Sequence, residues 1–208
     1  MTETVVRQQY DQLAKVYDQR WNNYIFKTLS FLKDWAEISP QATLLDIGCG
    51  TGEFESLVLT EHSAQQMVGV DISEKMLEIA KQKCHAYSHV SFQTASASAL
   101  PFPDHSFDII VSASAFHYFD NPKAALGEMQ RMLKPNGKVV ILDWCKDYLF
   151  CRICDILLKV VDPAYQQCYT QSEFHNLLAS TQFDVQRTTK VRFSLVWGLM
   201  IATAIPQS

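Results

Sequence analysis

The stretch best suited to chemistry is Leu44-Leu45-Asp46-Ile47-Gly48-Cys49-Gly50-Thr51-Gly52, a short apolar run that stops at a glycine cluster. Glycines at a strand-to-helix turn permit tight torsions and let a ligand approach the backbone closely. The helix beyond brings unpaired N–H groups. Dinucleotide enzymes use such a turn too, but their fingerprint asks for a third glycine where this chain has Glu53. Asp46, just ahead of the turn, would repel a pyrophosphate, whereas it could support an ammonium group or its water shell. Asp71 closes the next apolar run, Met67-Val68-Gly69-Val70-Asp71. It stands about twenty residues beyond the glycines, where a carboxylate can accept both hydroxyls of a ribose. Alone, Asp71 also reads as a solvated helix cap; coupled to the turn, it reads as a nucleoside contact.

Other reactive side chains gather farther along. His117 follows the apolar run Phe107-Asp108-Ile109-Ile110-Val111, at the end of a strand where active sites form, and imidazole can accept a proton near neutral pH. It is the candidate general base, with a structural histidine beneath a loop as the alternative. Tyr118, Phe119 and Trp144 read as pocket walls or as core. Tyr165, Tyr169 and His175 could orient an acceptor, and Tyr169 joins His117 as a candidate catalytic residue. Cys151 and Cys154 form a C-x-x-C with Cys145 and Cys168 nearby, but the second close ligand pair of a structural zinc site is missing. The run Leu149 to Leu158 reads instead as a buried helix carrying small apolar cysteines, and no metal is expected.

These residues need elements to position them. Apolar residues recur at helical spacing over residues 4 to 37, through Val5, Val6, Tyr10, Leu13 and Tyr17 and then Tyr24, Ile25, Leu29, Leu32 and Trp35. Ser39-Pro40 ends this section. Strands are expected at 43–47, 67–71, 90–93, 107–111 and 138–142, and helices at 53–61, from Glu74, and from Asn121-Pro122 to Leu133. Ser73 is a helix cap, and Pro135-Asn136-Gly137 a turn. Thr170-Gln171-Ser172-Glu173 fits a capping box opening a helix to Ser180. Two strand candidates, Phe183 to Thr188 and Phe193 to Ala204, would close the chain as a hairpin at the sheet edge. Strands alternating with helices argue for an α/β fold: a Rossmann-like, doubly wound, mostly parallel sheet with an antiparallel C-terminal edge strand and N-terminal helices.

With 208 residues, nearly half of them hydrophobic, the chain suits one domain. It is expected to comprise a helical cap (1–40), a cofactor-binding core (41–144), and substrate-roof helices with the hairpin (145–208). A net charge of −4 without a block of Lys or Arg disfavours nucleic-acid binding. The N-terminus lacks the apolar core of a signal peptide. No stretch reaches the roughly 18 consecutive apolar residues of a membrane span. A cytoplasmic protein with free thiols is the expectation.

Read together, these motifs resemble the class I S-adenosylmethionine-dependent methyltransferases, particularly the small-molecule branch that includes the quinone-biosynthesis enzymes. The likeness runs through Tyr10 to Asp18, Leu45 to Gly52, Val68 to Met76, Ala99-Leu100-Pro101-Phe102-Pro103-Asp104-His105-Ser106-Phe107-Asp108, Phe116-His117-Tyr118 and Leu133 to Lys138. It implies S-adenosyl-L-methionine as cofactor, with Asp46, Gly48, Cys49 and Gly50 around its methionine portion. Asp71 would take the ribose, Ile72 and Met76 the adenine face, and Ser112 a place near the methionyl group. Tyr17 would close over the cofactor. Ser96 stands where the family often has an acidic adenine contact, which leaves adenine to the backbone around Ala97, to stacking, and to a bond without charge assistance. The aromatic stretch Asp143 to Gln171 would roof a site for a small, partly apolar or aromatic acceptor, methylated on oxygen, nitrogen or carbon. A noncatalytic cofactor- or partner-binding module and a dinucleotide oxidoreductase are the alternatives.

Overall fold

A computed structural model describes residues 2–193 and 197–207. The chain opens with α1 (Thr2–Ala36), one continuous helix rather than several, because no glycine or proline interrupts its thirty-five residues. Glu37, at φ 48°, ends it. An alternating series follows: β1 (Thr43–Ile47), α2 (Glu53–Glu61), β2 (Gln66–Asp71), α3 (Glu74–Lys83), β3 (Val90–Thr94) and β4 (Phe107–Ala113). A single 3-10 turn (Phe116–Tyr118) leads to α4 (Pro122–Met132) and β5 (Leu133–Trp144). Then come α5 (Leu149–Val161), α6 (Gln171–Ser180), β6 (Phe183–Arg192) and β7 (Gly198–Pro206).

The strands form one sheet in the order β3-β2-β1-β4-β5-β7-β6. All neighbours from β3 to β5 run parallel, and β7 is antiparallel to both β5 and β6. The C-terminal hairpin thus closes the sheet, with β7 entering beside β5 and β6 outermost. The expected second hairpin strand begins later than Phe193; residues 194–196 of it lie outside the described residues. The expected turn at Pro135-Asn136-Gly137 sits inside β5 as a bulge: Leu133 pairs with Phe107, and Lys138 is the next partner, at Ile109.

Apolar cores fill both faces. On one, Leu32, Phe54, Leu59 and Met67 pack with Leu44, Val111, Val140 and Ile201 beneath α1 and α2. On the other, Leu126, Met129, Phe174 and Leu178 of α4 and α6 cover Ile47, Ile110, Val139 and Met200. Central strands buried on both sides must be apolar throughout, which is why β1 reads as a run rather than an alternation. Helix caps match the sequence: Ser73 accepts from Met76 N–H, Asn121 from Ala124 N–H, and Thr170 with Glu173 completes a capping box. Helix α5 departs from expectation, since only Cys151 and Asp155 on it are buried.

Candidate functional site

The β1–α2 turn lies at the carboxyl edge of the sheet, beside the end of β2. Gly48 has φ 81°, and a Cβ there would lie 2.5 Å from that of Ala115, so both backbone torsion and space require glycine. Gly50, at φ 55°, faces open space instead. Asp71 is fixed across this turn: one oxygen accepts from Gly50 N–H at 2.9 Å and the other from Ser73 N–H at 2.8 Å. Burial pushes its carboxyl above the usual range, opposed by these backbone donors.

A cleft of about 740 Å³, counted to its open mouth, occupies this edge. The turn supplies Gly48 and Gly50 to its wall, β2 and α3 supply Asp71, Ile72 and Met76, and the segment after β3 supplies Ala95 and Ala97. Helix α1 covers it with Glu3, Val6, Tyr10 and Tyr17, while Tyr118 and Phe119 face them from the 3-10 turn. Tyr10 meets Tyr118 edge-on at 5.5 Å. Burial raises the phenol pKa values of Tyr10, Tyr17 and Tyr118, so these walls present neutral hydroxyls. Polar staples hold the helix down. Ser73 and Thr51 donate to Asp11 and Asp18, and Lys83 pairs with Asp18 at 2.8 Å.

A second chamber adjoins the first, sharing Tyr17, Gly48, Gly50, Ala113 and Ser114 and adding Asp46, Cys49 and Thr51. Asp46 Oδ1 is buried there without a hydrogen-bond partner among the described residues. Burial first, and then the charges of Glu55 and Asp71, raise its pKa well above the carboxylate range. The same burial raises the Cys49 thiol and lifts Glu55 to about 8. A cation delivered to this chamber would meet the unpartnered Asp46 and relieve it, whereas an anion would be repelled.

The other expected residues stand apart from both chambers. Ser112 is fully buried and donates to Ile47 O at 2.8 Å, bracing β4 on β1; Ser114 lines the chambers in its place. Ser96 does not line the cleft, but its hydroxyl donates to Glu3, which does. Glu3 therefore carries a carboxylate to the cleft wall from near the N-terminus, a contact that no local motif announces.

His117 is only 2% exposed and is absent from the cleft wall. Its Nδ1–H donates to Asp143 at 2.6 Å, and its backbone N–H donates to the other carboxylate oxygen at 2.8 Å. Its ring stacks on Trp144 at 4.6 Å. This geometry favours the alternative reading, a structural histidine, with the imidazole packed against Tyr118. Tyr169 also lies away from the cleft: its ring packs with Phe116 and Phe174 and borders a separate surface depression with Lys146 and Glu173. Tyr165 donates to Asp155, His175 bonds Thr188, and Trp144 Nε1–H donates to the Tyr24 hydroxyl. No residue of Asp143 to Gln171 lines either chamber; α1 is the roof. The thiols of Cys151 and Cys168 donate to the carbonyls of Gly198 and Trp144. Among the described residues, no cluster of His, Cys, Asp or Glu is arranged to hold a metal ion.

Comparison with known proteins decides between the readings of this geometry. Residues 45–141 match the family model described as a methyltransferase domain. The demethylmenaquinone methyltransferase of Staphylococcus epidermidis is 31% identical over 199 residues, covering 90% of this chain and 79% of that one. The chain belongs to the class I S-adenosylmethionine-dependent methyltransferases, in the branch that holds the quinone-biosynthesis enzymes. The 2-phytyl-1,4-naphtoquinone methyltransferase of Trichormus variabilis is 34% identical over 149 residues, covering 67% of this methyltransferase and 64% of its own length. In fold, the crystal structure of the YcgJ protein from Bacillus subtilis superposes with a TM-score of 0.74 at 21% identity, over 88% of this chain and 99% of that one. The methyltransferase acts on a small molecule, and nothing favours the dinucleotide or noncatalytic readings.

Proposed function

We propose that residues 1–208 form one cytoplasmic catalytic unit that transfers a methyl group to a ring carbon of a lipophilic 1,4-naphthoquinone in its reduced, dihydroxy form. The observation that carries this reading is the two-part cleft. One chamber offers an unsatisfied carboxyl group to a cation, and the adjoining cleft joins the Asp71 carboxylate on one wall to aromatic rings and neutral phenols on the other.

The residues present fit S-adenosyl-L-methionine. Asp46, with Gly48, Cys49 and Gly50, would hold the ammonium end; Asp71 would accept from the ribose hydroxyls; Ile72, Met76 and Ala97 would flank adenine. Glu3, braced by Ser96, would supply the acidic adenine contact that position 96 lacks. Tyr17, shared by both chambers, would close over the junction. The cofactor, when bound, supplies an electrophilic methyl group on a sulfonium.

The chain's own contribution is alignment and exclusion of water. An oxidised quinone ring is too electron-poor to attack a methyl electrophile, so the dihydroxy form is the competent acceptor. The ring carbon would gain the methyl group with the cofactor's thioether as leaving group, and the proton that this carbon gives up on regaining aromaticity would pass to water at the open mouth of the cleft. An electron-rich ring makes no demand for an imidazole base, in keeping with His117 lying behind the wall. The adjacent Tyr10 and Tyr118 would meet one ring hydroxyl, and Val6 and Phe119 would pack on the ring. Names of the relatives support the same acceptor class: one is a demethylmenaquinone methyltransferase and another acts on a phytyl naphthoquinone.

The test is turnover with methyl-labelled cofactor and a polyprenyl naphthoquinone that lacks the ring methyl group. The expected result is one labelled methyl on the ring when dithionite keeps the acceptor reduced, and none when it is oxidised. Labelling of a hydroxyl oxygen, or no product from protein that binds S-adenosylhomocysteine, would overturn the carbon-acceptor reading.

A further inference from the structure

Helix α5 is amphipathic in the opposite sense to its neighbours. In α4 the apolar side chains Ala125, Leu126, Met129 and Met132 are buried, as packing on a sheet requires. In α5 the buried positions are Cys151 and Asp155, while Leu149, Ile153, Ile156, Leu157, Val160 and Val161 face outward. Val160 is 83% exposed, Leu149 71% and Val161 70%. At 3.6 residues per turn these six, with Phe150, make one unbroken stripe about 140° wide and about 20 Å long on the side away from the core. An outward stripe of that kind, on a helix this short, marks an interaction surface.

The charges identify what fits it. Asp155 is the only acidic residue of α5, and it points inward, accepting from Lys159 Nζ, the Tyr165 hydroxyl and Cys168 N–H at 2.8–2.9 Å. Arg152 is exposed on one border of the stripe, where a long cationic side chain can bury its stem and keep its head in water; Lys159 lies beside it with its ammonium turned in to Asp155. At the helix start, the exposed Arg192 stacks its guanidinium on Tyr148 at 4.9 Å. The outward face is therefore apolar, bordered by the exposed Arg152 and Arg192, with no carboxylate of α5 turned outward. A twofold contact between two copies would bring those like-charged borders into one interface without a carboxylate from α5 to answer them. An anionic lipid surface satisfies both features at once.

The segment just after α5 packs against residues of the cleft wall, so the helix ends beside the cleft without lining it. Asp162, directly after α5, accepts from Gln9 Nε2–H at 3.3 Å, next to the wall residue Tyr10. Tyr165 stands edge-on to the wall residue Tyr118 at 6.2 Å. We infer that α5 is an interfacial helix that docks the protein on an anionic bilayer, lying in the surface plane and setting the mouth of the cleft against the lipid. No described helix is long and apolar enough to cross a membrane, so the attachment is peripheral. A lipid-borne acceptor could then present its ring to the cleft while its chain stays in the bilayer.

The test is co-sedimentation of the full chain with vesicles of phosphatidylcholine, with and without phosphatidylglycerol. Wild-type protein is expected to bind the phosphatidylglycerol vesicles more tightly than pure phosphatidylcholine, and added salt to weaken binding without abolishing it. Ile153→Asp with Val160→Asp should lower the partition at least tenfold while melting temperature and S-adenosylhomocysteine affinity stay unchanged. If the double variant fails to fold, Val160→Asp alone, at a nearly fully exposed position, must show a loss in the same direction. Equal partition of wild type and variant, or no partition at all, would overturn the inference. So would a stable wild-type dimer in light scattering that the same substitutions dissociate. Neither lipid binding nor its loss depends on an acceptor, so failure here leaves the methyl-transfer reading standing, and the converse holds.

Discussion

Two carboxylates at the same edge of the sheet have opposite fates. Asp71, at the end of β2, is fixed by two backbone N–H groups, yet it still borders the cleft. Asp143, near the end of β5, is consumed by the backbone and ring of His117 and by Trp144 N–H, and the Trp144 ring stacked on His117 covers the pair. Asp46 sharpens the contrast, since one of its buried oxygens is unpartnered and its neighbours are acids. A buried polar group with every bond made is structural. One held rigidly beside a cavity with acceptor capacity to spare is where a ligand belongs.

Breaking the satisfied pair should have the largest effect on the folded molecule. Asp143→Ala strands a buried imidazole and two backbone donors, for a loss of about 3 kcal/mol or more. At this chain length that corresponds to a melting temperature lower by about 6–12 °C. Cofactor affinity of the folded fraction should change less than about twofold, since Asp143 touches neither chamber. A large loss of affinity with little loss of stability would place Asp143 and His117 back in the site.

A smaller effect sharpens the acidic side of the comparison. Glu55 is wholly buried in α2, and that burial lifts its carboxyl to about 8. Its folded pKa thus lies above the unfolded value, so the protein binds this proton more tightly when folded. The resulting stability is full below the ordinary carboxylate range and is lost as pH rises toward 8; Asp46 shifts in the same direction. Melting temperature should therefore fall between about pH 5 and about pH 8.5, and Glu55→Gln should flatten that slope and melt a few degrees higher at the alkaline end. Equal destabilisation by the substitution at both pH values would contradict the assignment.

The half of the edge that lines the cleft was far more legible in the sequence than the other. Strands β1, β2 and β4 are buried on both faces, so they read as apolar runs, and a glycine turn followed by an acidic strand end is a local signal. His117 was correctly placed after β4, but sequence position says nothing about the direction of its ring, which the 3-10 turn and Asp143 decide. Periodicity announced α1 without showing that it lies over the cleft, and Glu3 meets Ser96 across more than ninety residues. Helix α5 misled for a related reason. An apolar stripe has the same sequence whether it faces the core or faces out, and only Asp155 turned inward reveals which.

The central claim is that the Asp46–Gly52 turn and Asp71 bind an adenosyl cofactor while the His117–Asp143 pair does not. Calorimetric titration of S-adenosylhomocysteine into wild type, Asp71→Ala and His117→Gln tests it directly. The account predicts tight one-to-one binding to wild type and a loss of about 1.5–3 kcal/mol for Asp71→Ala, which removes charged hydrogen bonds to the ribose. It predicts near-wild-type affinity for folded His117→Gln. Well-folded wild type that binds nothing, or Asp71→Ala that binds as tightly as wild type, would contradict it.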